Sequence, residues 1–440
     1  MSDAAVGGLF AILMLAMMFV RIPIAVAMMT AGALGYATLS SFGALLNYVK
    51  TGPYFQLAND SFSVIPLFLL MGFLASRSGI SRALFGGVNA LIGHWRGGLA
   101  MAAIGGCAMF GAICGSSLAT AATMGQVALP EMKRFGYQPS LATGTLAAGG
   151  TLGILIPPSI PLIVYALLTE QNIAKLFVAA FLPGILAMLG YMLAIAIYVR
   201  LYPAAGPAGP RHTAAERRRA VIDMLPATLL FVLVLGGIYA GVFTPTEAAA
   251  FGVVGTAAIA FGLNRATLAD LLQSLVETAV TAGMIFMILI GADMFNGFMA
   301  LSGLPQALAE AITTSGLSPM LIMVSILGVY LVLGCLMDAL SMILLTIPIF
   351  FPVVMALDYG MTAEQTAIWF GILALIVVEV GLITPPVGMN VFVINKLAED
   401  VPMAQTFKGV VPFLISDAVR IGLLLMFPAL AYAMVYATGW

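Results

Sequence analysis

A chain of 440 residues that is 62% hydrophobic, 8% charged and carries a net charge of −1 has far more apolar surface than a water-soluble core needs. It reads as a polytopic helical membrane protein, and its charge balance offers no basic face for nucleic acid. Cys107, Cys114 and Cys335 all lie in apolar segments without metal-ligand spacing, so they read as small apolar fillers. The start of the chain, Met1–Asp3, lacks the basic region of a secretory signal, and the first apolar stretch is expected to be a retained helix.

In chain order the predicted elements begin with helices near 5–20, 22–41 and 61–77. The next apolar element, 98–131, would be about 50 Å long as one helix, against a hydrocarbon core of about 30 Å. With GAICGSS at its centre it is expected to be a re-entrant hairpin. A broken helix over 140–168 and a last helix over 176–200 follow. Residues 203–219, rich in Pro, Gly and Arg, form a cytoplasmic linker. Helices near 222–242, 245–264 and 270–299 come next, then a second hairpin at about 318–357 with GCLMDALS at its tip. A second broken helix over 364–395 and a last helix at about 409–437 complete the chain.

The breaks read GGTLGILIPPSIP and GLITPPVGMN, and their Pro-Pro pairs, Pro157-Pro158 and Pro385-Pro386, stand half a chain length apart. Proline removes a donor and clashes with the preceding turn, so no continuous helix is expected through either site. Pro23 and Pro245, Gly72 and Gly291, Ser78-Gly79 and Ser302-Gly303, and Gly115 and Gly334 match in the same order at nearly the same spacing. The chain therefore divides into a first repeat, 1–202, and a second, 220–440. With the N-terminus outside, fourteen of the seventeen basic residues fall inside, among them Arg96, Lys133, Arg134, Arg217 and Arg265. Lys50 and Lys175 fall outside, and Arg420 lies within the last helix. Five full crossings per repeat invert the second copy. The expected fold is all-α: two inverted-topology repeats, about ten transmembrane helices, two re-entrant hairpins and two broken helices.

Broken helices at matching places in two halves point to a transporter's binding site. The first tip offers Gly115, Ser116, Ser117 and Thr120, whose hydroxyls and exposed carbonyls are hard oxygen ligands suited to an alkali cation. The first break offers Gly149, Gly150, Thr151, Gly153 and Ser159. The second tip offers Asp338 and Ser341, and its break Thr384, Gly388 and Asn390. Half-helix N-termini would face an anionic substrate. Small residues in membrane helices also serve close packing, which is the competing reading for each of them. A carboxylate at membrane depth is a functional hypothesis by default, which singles out Asp338. Glu379 would orient the second break, line the path or titrate. Asp417 and Arg420, three apart, would neutralise each other. Asp293 and Asn296 would be polar glue or path-lining. His94 and His212 fall in cytoplasmic segments.

These strings resemble the large membrane subunit of a tripartite ATP-independent periplasmic (TRAP) transporter, over nearly the whole chain. The resemblance is densest in GSSLATAATMG, AAGGTLGILIPPSIPLIVYA and GCLMDALSMILLTIPIFFPV, and in GLITPPVGMNVFV. It implies a sodium-driven, elevator-type transporter for an organic acid such as a C4-dicarboxylate or sialic acid. A periplasmic binding protein would deliver the substrate, and a small four-helix membrane subunit, expected as a separate polypeptide, would brace this chain in the bacterial inner membrane. Carried over, Gly115, Ser116 and Ser117 with Gly149, Gly150, Thr151 and Gly153 would form one sodium site. Gly334, Asp338 and Ser341 with Thr384 and Gly388 would form the other. Thr120, Pro157, Pro158, Ser159, Pro385, Pro386 and Asn390 would lie along the substrate between them. The alternatives are a stand-alone sodium–carboxylate symporter, a passive channel, and a membrane hydrolase using Ser116 or Ser117. The hydrolase needs a general base, and neither histidine falls in a predicted membrane segment.

Overall fold

The computed structural model describes residues 2–262, 266–314 and 316–439. Arg265, counted above among the inward charges, lies outside them. Among the described residues regular structure is helical throughout. The first half comprises α1 (Asp3–Phe19), α2 (Ile24–Leu39), α3 (Phe42–Leu57), α4 (Val64–Arg77), α5 (Ile80–Ile92), α6 (Gly98–Cys114), α7 (Ser117–Arg134), α8 (Pro139–Leu155), α9 (Ile160–Leu168) and α10 (Ile173–Leu201). The second comprises α11 (Ala214–Tyr239), α12 (Pro245–Gly262), α13 (Leu268–Ser302), α14 (Leu304–Thr314), α15 (Pro319–Gly334), α16 (Ala339–Met355), α17 (Ala363–Gly381), α18 (Met389–Leu397), α19 (Met403–Met426) and α20 (Ala429–Ala437).

Seven segments are long and apolar enough to cross a bilayer, one of them α4 together with the short 3-10 turn Asp60–Ser63 before it, and α8 with α9, bent by 41° at their break, makes an eighth. The other two expected crossings, α1 and α2, have 17 and 16 residues. That is about 25 Å of helix, a shortfall that local bilayer thinning and flanking residues accommodate. Both hairpins are present, α6–α7 and α15–α16, with turns at 115–116 and 335–338.

The structure corrects several sequence boundaries. Residues 214–219, read as linker, are the first turns of α11. Thr213 and Glu216 form a capping box, in which Glu216 N donates to Thr213 Oγ1 at 3.3 Å and Thr213 N donates to Glu216 Oε2 at 2.7 Å. That nucleates a helix through Arg217, Arg218 and Arg219. The remaining linker is stitched down rather than loose. Gly97 N donates to Gly206 O, Gln138 N to Ala205 O and Gly209 N to Gly93 O, at 2.9, 2.9 and 3.0 Å. The last helix is divided at Phe427-Pro428 into α19 and α20.

Helices α3, α5 and α14 have no counterpart in the sequence reading. The last two start at the matched Ser-Gly pairs. Ile80 N donates to Ser78 Oγ and Leu304 N to Ser302 Oγ, both at 3.2 Å, while Gly79 and Gly303 turn the chain with φ of 73° and 62°. The halves differ where α3 and α4 of the first correspond to the single 35-residue α13 of the second.

Helix α2 lies along α13, and α4 packs against both α12 and α13. Arg77 joins α4 to α13 through Glu277, Nη2 to Oε1 at 2.7 Å. The helices preceding the breaks form the centre of the other group: every residue from 140 to 155 of α8 and from 366 to 381 of α17 is buried. Helices α6 and α7 flank α8, and α15 and α16 flank α17. Across the halves α7 packs on α18 and α16 on α9.

Glycines permit these approaches. A Cβ on Gly153 would sit 2.8 Å from Ser116 O, and one on Gly334 would sit 3.1 Å from the Gly381 Cα. Helix α19 meets α8 the same way, with Gly409 against the backbone of Ser140 and Gly144. Gly409→Val should therefore lower thermal stability in detergent by about 1–3 kcal/mol, the usual cost of overpacking. Gly422→Val, on the same helix with nothing within 4 Å of the added Cβ, should change it far less.

Candidate functional site

Each hairpin returns through a capped helix N-terminus. Ser116 caps α7, its Oγ accepting from Ala119 N at 3.4 Å. Asp338 caps α16, its Oδ2 accepting from Ser341 N at 3.1 Å, while Ser341 Oγ donates to Oδ1. The two caps stand at the spacing of the internal repeat, so Asp338 is the counterpart of Ser116. Ser159 caps α9, accepting from Leu162 N at 3.4 Å, and Gly388, with φ of 59°, opens α18.

Three of these N-termini meet at one cavity of about 140 Å³. Gly115, Ser116 and Ser117 line it from the first tip, Asp338 from the second, Ile160 from the start of α9, and Thr281 from α13. The cavity thus lies between the hairpin-bearing group and the α4/α13 pair. Asp338 is half-buried there.

Other expected site residues are placed differently. Thr120 and Asn390 are fully buried and lie off the cavity. Thr120 packs over Gly153, and Asn390 Nδ2 donates to Ala147 O at 3.2 Å. Gly150 lies beneath Ser117 O and the Asn390 amide, whereas Gly149 packs against Cys107. The Thr151 hydroxyl is engaged with Ala148 O at 2.6 Å and Tyr191 Oη at 3.1 Å. Tyr191 in turn donates to Asp417 Oδ2 at 2.8 Å, and Asp417 pairs with Arg420 at 2.6 Å, the internal neutralisation expected from their spacing. Gly334 faces Gly381, and Gly388 lies against Phe407 and Thr384 O. Thr384 Oγ1 donates to Val380 O at 2.6 Å.

Both Pro-Pro bonds are cis. Pro157 and Pro158 are buried, while Pro385 and Pro386 are exposed, so only the second break opens to the surface. Asp293 accepts from Tyr48 Oη at 2.9 Å, joining α3 to α13. Asn296 lines a separate cavity of about 180 Å³ with Gln306 and Ile347. His94 and His212 are both half-exposed, the latter 3.8 Å from Glu216.

Sequence reading named Glu379 without including it in either ion site. It is 1% exposed and accepts a hydrogen bond from Ser117 Oγ, so the second half of the chain reaches the first tip. The available signal was a lone carboxylate in an apolar helix two turns before a break. Its partner lies in the other half of the chain and was not legible.

Residues 11–430 match the family model of the tripartite ATP-independent periplasmic transporter, DctM component. The chain belongs to this family. The permease is 38% identical over 371 residues to the C4-dicarboxylate TRAP transporter large permease protein of Pseudomonas aeruginosa, covering 84% of this chain and 85% of that one. It is 31% identical to the sialic acid TRAP transporter large permease protein of Vibrio cholerae, over 84% and 85% of the two chains. These relatives are permease subunits rather than enzymes, and the permease is a multi-pass protein of the bacterial inner membrane. The solved structure of the Alcanivorax borkumensis YdaH transporter shares the fold, with a TM-score of 0.65 over 89% of this chain and 90% of that one at 12% identity.

The burial pattern sets a labelling order. With Cys107, Cys114 and Cys335 replaced, Ser116→Cys should react with a water-soluble thiol reagent. Thr120→Cys should react far more slowly. Equal rates would place Thr120 on the aqueous path.

Proposed function

We propose that the permease performs sodium-coupled uptake of an organic acid delivered by a periplasmic binding protein, with elevator-type alternating access. The observation that carries this reading is the convergence of three helix N-termini and the hydroxyls of the first tip with the Asp338 carboxylate of the second on one cavity. Helix N-termini favour an anion, and no Lys or Arg lines that cavity among the described residues. Backbone dipoles and co-bound sodium would supply the attraction that a basic side chain supplies elsewhere. The relatives' substrates, C4-dicarboxylates and sialic acid, favour a carboxylate as the cargo.

The donors fit sodium, being hydroxyls, carbonyls and one carboxylate, all hard oxygens. Ser116 and Ser117 with the backbone of Gly115, Gly150 and Gly153 would hold one ion. Asp338 and Ser341 with the backbone around Gly334, Thr384 and Gly388 would hold the other. Neutralising Asp338 with a cation would let a carboxylate approach the same cavity. The group built on α8 and α17 would then move as a body against α2, α4, α12 and α13, carrying both sites. A small four-helix membrane subunit would brace the static group.

The test is uptake of labelled organic acids into proteoliposomes under an imposed sodium gradient, with and without the small subunit and binding protein. Uptake should need all three parts and sodium. Uptake by this chain alone would identify a stand-alone symporter instead. Asp338→Asn should abolish or strongly weaken sodium activation while the protein still inserts. Unchanged activation would remove Asp338 from the ion site.

A further inference from the structure

Glu379 is the only acidic residue of α17 beyond Glu364 in its first turn. Its Oε2 accepts from Ser117 Oγ, and its Oε1 is buried with no hydrogen-bond partner among the described residues. The ion pairs found there do not include it. An acidic side chain buried in a membrane protein on a single hydrogen bond is a functional position by default. Nor does the repeat require it. Aligning the two Pro-Pro pairs makes Thr151 its counterpart, whose hydroxyl turns to Ala148 and Tyr191 instead. The link from α17 to the first tip is therefore made once, and only in one direction.

Ser117 has one face on the cavity and its backbone oxygen above Gly150. Nearby, Asn390 Nδ2 reaches Ala147 O, tying α18 to α8. The second half thus reaches the first on both sides of its own break: before it Glu379 holds the tip through Ser117, and after it Asn390 holds α8, on which that tip rests. We propose that Glu379 is a positioning residue. Through Ser117 it holds the tip of the first hairpin against the second broken helix, so that the oxygens of the first ion site are kept in place from the other half of the chain. This rests on the sodium-coupled reading for its transport consequence, though not for the tether itself.

The test is a double-mutant cycle of Glu379→Ala and Ser117→Ala in the complete three-part system, read two ways. Hydrogen–deuterium exchange of the peptide spanning 111–121, measured without sodium, reads the tether. Exchange should rise in both single variants, with no further rise in the double. The sodium concentration for half-maximal uptake reads the ion site. Glu379→Ala should raise it about tenfold in the wild-type background, the size expected for losing a buried hydrogen bond and leaving its partner unsatisfied. In the Ser117→Ala background it should have little further effect, because coupled residues are non-additive. Glu379→Gln, which keeps the acceptor, should stay within about threefold of wild type. Should Glu379→Ala fail to insert, Glu379→Asp, shorter by one methylene, takes its place in the cycle.

Additive effects, or unchanged exchange at the tip, overturn the proposal. So does Glu379→Gln losing as much sodium affinity as Glu379→Ala, since the charge itself would then be acting. If wild-type uptake ignores sodium, the transport reading falls while the exchange cycle still decides the tether.

Discussion

Inside a bilayer a helix can stop half-way only if protein, or water held by protein, takes up the backbone groups it leaves and fills the space beside it. Helices α8 and α17 both stop this way, each ahead of a Pro-Pro pair, and a re-entrant hairpin closes against each. The approach is close because Gly153 passes beneath Ser116 O and Gly381 faces Gly334. A side chain at Gly153 or Gly381 would clash with the facing hairpin and push it outward. The cavity, the capped tips and the cross-pairing of α7 with α18 and α16 with α9 all depend on that contact.

On this doubled frame the two halves carry different chemistry. The cap of the first returning arm is a neutral serine, and that of the second is a carboxylate. The position before the first break is Thr151, engaged with Tyr191, and before the second it is Glu379, engaged with the opposite hairpin. One Pro pair is enclosed and the other exposed. A duplicated backbone thus presents two chemically unequal tips, one with hydroxyls and one with a carboxylate, around one cavity.

The charged contacts divide by what they hold. Arg77 and Glu277 fasten α4 to α13 where both side chains still reach solvent, a pair worth at most about 1 kcal/mol. Asp417 and Arg420 are buried one turn apart on one helix, so their ion pair fastens no second helix, and such pairs are weak evidence for stability. Asp417 acts beyond its helix through Tyr191, which reaches Thr151 on α8. The linker, fixed by three backbone hydrogen bonds, joins the halves without forming a loose strap.

The sequence by itself determined the membrane environment, the two hairpins, the two breaks and the order of long helices. Each of these follows from local chemistry: uninterrupted apolar length, prolines that deny a donor, and glycine–serine runs too polar and too small for a lipid-facing helix. It missed α3, α5 and α14, which are short and lie outside the long apolar runs that were counted, and it placed the start of α11 too late because a capping box overrode the linker-like composition. Only the tertiary structure decided which polar groups face the cavity. Thr120 and Asn390 sit beside the expected tip and break yet turn inward onto α8, while Ile160 and Thr281 line the space instead. Spacing along one helix fixes which residues share a face. Which neighbour covers that face, as Glu379 covers Ser117 from the other half of the chain, depends on how the two halves pack.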